Sequence, residues 1–104
     1  MAKKKIIDRK MYDTTTAEAV GSYSNTPYQS DFQHYSETLY RKRTGEFFLY
    51  GEGGAMSPYR EEIRYNEWGN GDSIIPMSED DAKHWAETHL TGEKYVEIFG
   101  PVEE

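Results

Sequence analysis

The chain contains no cysteine, which excludes disulfides, zinc-thiolate centres and thiol catalysis. It also lacks any apolar run of signal-peptide or membrane-spanning length, since the basic start Met1 to Lys5 is followed only by Ile6 and Ile7. A cytoplasmic protein without a membrane segment is expected. Apolar residues are scarce, at 36% with a mean hydropathy of -0.94, so the core must be small and built largely from aromatics. No internal repeat and no low-complexity linker divides the 104 residues. That length suits one domain over residues 1–104.

What is abundant is charge and tyrosine. Charged residues reach 30%, which leans towards disorder, but nine tyrosines, four phenylalanines and two tryptophans are spread along the chain. Disordered segments are poor in aromatics, so a folded domain is expected. The net charge is -7, and it is unevenly placed. Lys3, Lys4, Lys5, Arg9 and Lys10 outweigh Asp8 at the start, whereas the stretch from Glu79 to Glu104 holds eight carboxylates against Lys83 and Lys94. Such a balance argues against nucleic-acid binding by the whole surface and permits competition with nucleic acid for a basic protein surface.

The pattern predicts an α+β fold: a small antiparallel sheet with hairpins near 4–12, 34–50 and 64–76, a short N-terminal helix, and a C-terminal helix over 78–90 packed on the sheet. Asp8-Arg9 makes the first turn. Thr14 to Val20 runs from N-cap chemistry into helix formers and stops at Gly21, predicting about two helical turns. Ser22 to Ser30 has loop composition, with Tyr23 and Tyr28 as anchors. Tyr35, Glu37, Leu39 and Arg41 then alternate with Ser36, Thr38, Tyr40 and Lys42. Arg43-Thr44-Gly45 turns the chain into Glu46 to Tyr50, where Phe47 and Leu49 point one way and Phe48 and Tyr50 the other. Apolar on both faces, this strand is covered twice or shows aromatics to a partner, and a homodimer is one way to cover it.

Gly51-Glu52-Gly53-Gly54 is expected to break that strand through a positive-φ bend. Ala55 to Ile63 fits either a loop or a short helix opening at Ser57-Pro58. Arg64 to Trp68 and Ser73 to Ile75 read as strands around a Gly69 to Asp72 turn, closed by Pro76. Ser78 followed by Glu79, Asp80 and Asp81 is a capping pattern with carboxylates where the helix dipole favours them. Ala82, Trp85, Ala86 and His89, with Leu90 beside them, form one apolar face. Gly92 is expected to end that helix, and a shorter one over Glu93 to Phe99 turns Tyr95, Ile98 and Phe99 inward before Gly100-Pro101.

No catalytic, cofactor or metal site emerges. The glycine run lacks the lysine and Ser/Thr of a P-loop and holds Glu52 where an anion would sit. His84 and His89 lie roughly 140° apart around a helix and cannot share a metal, and His34 has no ligand-spaced companion. Ser57, Ser73 and Ser78 sit in no nucleophile elbow, and Glu61-Glu62 and Asp80-Asp81 are sequence neighbours rather than facing carboxylates. Two charged features remain. Tyr40, Arg41, Lys42 and Arg43 form a basic hairpin end that could reach a phosphate backbone, with Tyr50 nearby for stacking. The helix offers Glu79, Asp80, Asp81 and Glu87, with Lys83 among them, as an acidic face for a protein partner.

Three segments carry a resemblance: Lys10-Met11-Tyr12-Asp13-Thr14 with Thr16-Ala17; Leu39-Tyr40 with Thr44-Gly45-Glu46-Phe47-Phe48-Leu49-Tyr50-Gly51-Glu52-Gly53-Gly54; and Ile74-Ile75-Pro76 with Ser78 and Trp85-Ala86-Glu87. Tyr95, Glu97, Ile98, Phe99 and Gly100 fit as well. In this order they make the chain resemble a family of small acidic proteins carried by plasmids, conjugative elements and phages of Gram-positive bacteria, generally without assigned activity. Genes of that setting often act as accessory or counter-defence factors, and some small acidic ones resemble anti-CRISPR inhibitors of the RNA-guided DNA nucleases. The resemblance therefore implies a non-enzymatic factor that binds an RNA-guided DNA nuclease and blocks engagement of its guide RNA or target DNA. The basic start and Arg41 to Arg43 depart from pure DNA mimicry. The alternative is a small nucleic-acid-binding accessory protein that uses the basic turn.

Overall fold

The computed structural model describes residues 3–28 and 30–103. Gln29, within the expected 22–30 loop, and Glu104 of the acidic tail lie outside the described residues. The chain runs β1 (Lys4–Ile7), β2 (Lys10–Asp13), β3 (Glu18–Ser24), β4 (Tyr35–Arg41), β5 (Phe47–Gly53), β6 (Glu61–Arg64), β7 (Glu67–Gly69), β8 (Gly71–Met77), α1 (Glu79–His89) and α2 (Gly92–Phe99). The expected α+β class is observed. A four-stranded antiparallel sheet in the order β3-β4-β5-β8 sits between the β1–β2 hairpin on one face and the two helices on the other.

The alternation of β5 creates both layers. Phe47 and Leu49 pack with Val20, Leu39, Ala82, Trp85 and Ala86 under the helices. Phe48 points the opposite way, fully buried with Tyr12 and Ile74 under the hairpin. Its ring stacks on Tyr40 at 5.1 Å and meets Tyr12 edge-on at 5.5 Å. Each fully buried side chain of this size contributes roughly 1.5–3 kcal/mol. One chain thus covers both faces of β5, so the strand needs no second copy to bury it.

The turns follow local chemistry. Asp8 and Arg9 both adopt positive φ, 51° and 67°, as a two-residue hairpin of right-handed twist demands. Gly45, at φ 94°, closes the β4–β5 turn, where Lys42 N–H also donates to the Glu46 carbonyl at 2.8 Å. In α1, Ser78 accepts from the Asp81 N–H while Asp81 reaches back to the Ser78 N–H, completing the expected capping box.

Four expectations are corrected. The N-terminal helix over Thr14 to Val20 is absent: Asp13 accepts from the Thr15 N–H at 2.8 Å in a turn, and the chain then enters β3, which extends to Ser24. The three threonines lie in that turn, β-branched Val20 favours the extended chain that follows, and Gly21 marks where Leu90 presses on β3 rather than a helix end. The third hairpin is not formed by 64–76. Its strands are β6 and β7, turning at Tyr65 and Asn66 with Asn66 at φ 59°, while β8 leaves to pair with β5.

The glycine run does not break β5, which continues to Gly53, and none of its glycines has positive φ. They are small because neighbours approach closely: a methyl at Gly51 would overlap the Tyr59 ring, and one at Gly54 would lie 2.7 Å from the Phe32 carbonyl oxygen. Finally, Leu90 caps α1 and Thr91 opens α2, so Gly92 begins the second helix instead of ending the first. Ala55 to Arg60 resolves as turns without a helix, and Pro76 lies inside the edge strand β8, a position open to proline.

Candidate functional site

On α1, the spacing of Asp80, His84 and Glu87 places all three on the solvent side, opposite Ala82, Trp85 and Ala86. Glu79 pairs with Lys83 at 3.8 Å, and Asp81 is engaged in the cap. Of the five residues proposed for an acidic face, Asp80 and Glu87 are therefore the exposed carboxylates with neither an ion pair nor a cap bond among the described residues. His89 is part-buried, its ring 4.2 Å from Tyr23 and 5.3 Å from Trp85.

The basic hairpin end is less available than its sequence suggests. Arg41 donates to the Ile98 carbonyl at 3.2 Å and to Glu18 at 3.1 Å, tying the sheet to α2. Lys42 sits 3.6 Å above the Tyr12 ring and 3.4 Å from Glu46. The same Glu46 accepts from Lys10 at 2.7 Å, and these cations hold its carboxyl below the usual range. Tyr40 has one ring face occupied by Phe48. Arg43 alone among the three cations is exposed with no ion pair among the described residues.

A second charged region lies where the sheet ends at Tyr35, Gly53 and Gly71. Lys3, Asp31, His34, Glu52, Glu61 and Asp72 are among the side chains lining an open cleft of about 800 Å³ there. Lys3 binds Asp72 at 2.8 Å, raising the ammonium's pKa and lowering that of the carboxyl. The Tyr50 hydroxyl lies within donating distance of Asp72, at 3.0 Å, and of Glu52, at 3.2 Å. Burial first, then these carboxylates, push its pKa up. Among the described residues, no three acidic or histidine side chains converge closely enough to hold a metal ion.

Between this end and the helices stands Glu37 of β4. It accepts from Trp85 Nε1–H at 2.8 Å on one oxygen and from the Tyr59 hydroxyl on the other. Tyr59 lies over Gly51, and burial followed by the Glu37 bond raises its pKa. One carboxylate thereby joins sheet, α1 and the loop that leads to β6.

Sequence reasoning missed the gathering of Asp31, Glu52, Glu61 and Asp72, because they come from four separate segments. The available signal was Glu52, a charged residue set among glycines that bring other chain segments close. Comparison with family models, with characterised proteins and with solved structures gives no match.

Proposed function

We propose that the protein is a non-enzymatic factor of a mobile genetic element that works in the cytoplasm by binding another protein. The most concrete target is an RNA-guided DNA nuclease whose guide or target-DNA engagement it blocks. The supporting observation is the distribution of uncompensated charge. Asp80 and Glu87 on α1 and Asp31 at the sheet end form no ion pair among the described residues, and Glu52, Glu61 and Asp72 at that end share Lys3, whereas Arg41 and Lys42 are engaged within the molecule. Fixed carboxylates of this kind suit a basic, nucleic-acid-handling protein surface. Among the described residues no helix is long and apolar enough to cross a membrane.

The nuclease as target comes from the resemblance; the charge pattern supports only the wider class of basic partners. Cleavage of target DNA by a purified nuclease and guide, with the protein added in increasing excess, tests the narrower reading. Cutting falls as the protein saturates the enzyme. Undiminished cutting by the host's nucleases at large excess removes this target.

A further inference from the structure

Of the eleven large apolar residues left exposed among the described residues, six lie in the loops and hairpin at one end of the sheet: Tyr28, Phe32, Met56, Ile63, Tyr65 and Trp68. Hydrogen bonds from the Gly54 N–H to the His34 carbonyl and from the Met56 N–H to the Phe32 carbonyl, each 2.8 Å, bind two of these loops together. The third component is the β6–β7 ribbon. All four residues of β6 are exposed, Tyr65 at its tip is 89% exposed, and it joins no third strand.

A lone two-stranded ribbon is marginal in water, yet this one is braced at its base. The Arg60 guanidinium lies 4.9 Å over the Trp68 ring, Ile63 packs against Gly69, and Gly71 fits beneath the Tyr59 and Arg60 backbone. The ribbon is held out from the sheet with its apolar side chains in solvent. Burial of such surface against a partner is favourable in proportion to its area.

Charge selects the partner. At the adjoining cleft Lys3 pairs with Asp72 and is also within electrostatic reach of Glu52 and Glu61, so three carboxylates share one lysine, and Asp31 forms no ion pair among the described residues. Phosphates would be repelled here. A second copy would bring a further net charge of -7. Arginine or lysine side chains beside an apolar stretch fit both halves of the surface, with aromatic anchors and charged groups around them as in protein interfaces.

We infer that this end of the sheet is a docking surface for a basic segment of a partner protein. The β6–β7 ribbon supplies the apolar contact, and Asp31, Glu52 and Glu61 receive the partner's cations. The assignment rests on the reading of the chain as a binder of basic proteins and moves the principal contact from α1 to the opposite end of β5.

The test is an NMR titration of the full ¹⁵N-labelled chain with a synthetic peptide of alternating Arg and Leu, beside a matched Glu–Leu peptide and single-stranded oligothymidylate. Shifts from the Arg–Leu peptide concentrate at Asp31 to His34 and Glu52 to Asp72, and neither control reproduces them. Tyr65→Ser with Met56→Ser, and separately Glu52→Lys with Glu61→Lys, each weaken binding at least tenfold, with unchanged circular dichroism because these side chains are exposed. Asp80→Lys with Glu87→Lys leaves it unchanged.

Shifts centred on α1, equal response to either control, or no response to the Arg–Leu peptide overturns the assignment. So does light scattering that shows a dimer with these resonances broadened. A chain that binds the peptide here but inhibits no nuclease keeps the surface and loses the nuclease reading. Inhibition untouched by these variants does the reverse.

Discussion

Replacing Glu37 by alanine separates the three parts that its carboxylate joins. Trp85 is 6% exposed and its indole N–H, 2.8 Å from Glu37 Oε1, loses its acceptor; the Tyr59 hydroxyl loses its acceptor on the other oxygen. A hydrogen bond to a charged group contributes about 1.5–3 kcal/mol, and a buried donor left unpaired costs about 1–3 kcal/mol. Part of the Tyr59 loss is recovered because that ring is only part-buried and can rehydrate. The expected loss for Glu37→Ala is therefore about 2–4 kcal/mol, a large share of the roughly 5–15 kcal/mol that holds an ordinary domain together. Glu37→Gln keeps one carbonyl acceptor and loses about half as much. Urea unfolding followed by tryptophan fluorescence measures both, and a double-mutant cycle with Tyr59→Phe isolates the coupling across β4. If Glu37→Ala unfolds within about 0.5 kcal/mol of the natural chain, the carboxylate does not join these elements and the reasoning fails.

Three further outcomes follow from the same geometry. Phe48→Ala, at a site with no exposure between Tyr40 and Tyr12, costs about 3–5 kcal/mol in thermal unfolding; a loss under about 1 kcal/mol would mean that the hairpin does not cover the sheet. Ser78→Ala removes the α1 cap and lowers stability by about 0.5–2 kcal/mol in urea, while Ser78→Asp stays close to the natural chain. Tyr50 and Tyr59 have raised pKa values in the fold, so both bind protons more tightly folded than unfolded. Their contribution is complete below the unfolded value of about 10 and is lost as pH rises above it. Urea midpoints should fall above about pH 10, and Tyr59→Phe should make that fall shallower.

The elements with strong local signals were legible. Alternation at Phe47 to Tyr50 told which side chains face which layer, and Ser78 with its following acids marked the start of α1. The failures have a common physical origin in contacts between distant segments. Asp13 supports a turn as readily as a helix, and only pairing with β4 turns Glu18 to Ser24 into a strand. The glycines after Tyr50 resemble a strand break until Tyr59, Ser57 and Phe32 are seen to occupy the space that side chains would need. Tyr28, expected as an anchor, is 70% exposed, whereas Tyr23 does pack on the core. The charged features were partly legible: the capped acidic helix stood out, but the use of Arg41 and Lys42 depends on Ile98, Glu18 and Tyr12, and the sheet-end carboxylates are brought together by the fold.

A protein that acts as proposed occupies a basic surface that handles nucleic acid. The most direct measurement is binding to an immobilised, purified nuclease–guide complex by interferometry, with and without target DNA already bound. Saturable association is expected at micromolar concentration or tighter, about 8 kcal/mol or more, suppressed by prebound DNA and weakened by added salt. No association at concentrations well above that range, or association that DNA leaves unchanged, would contradict the proposal.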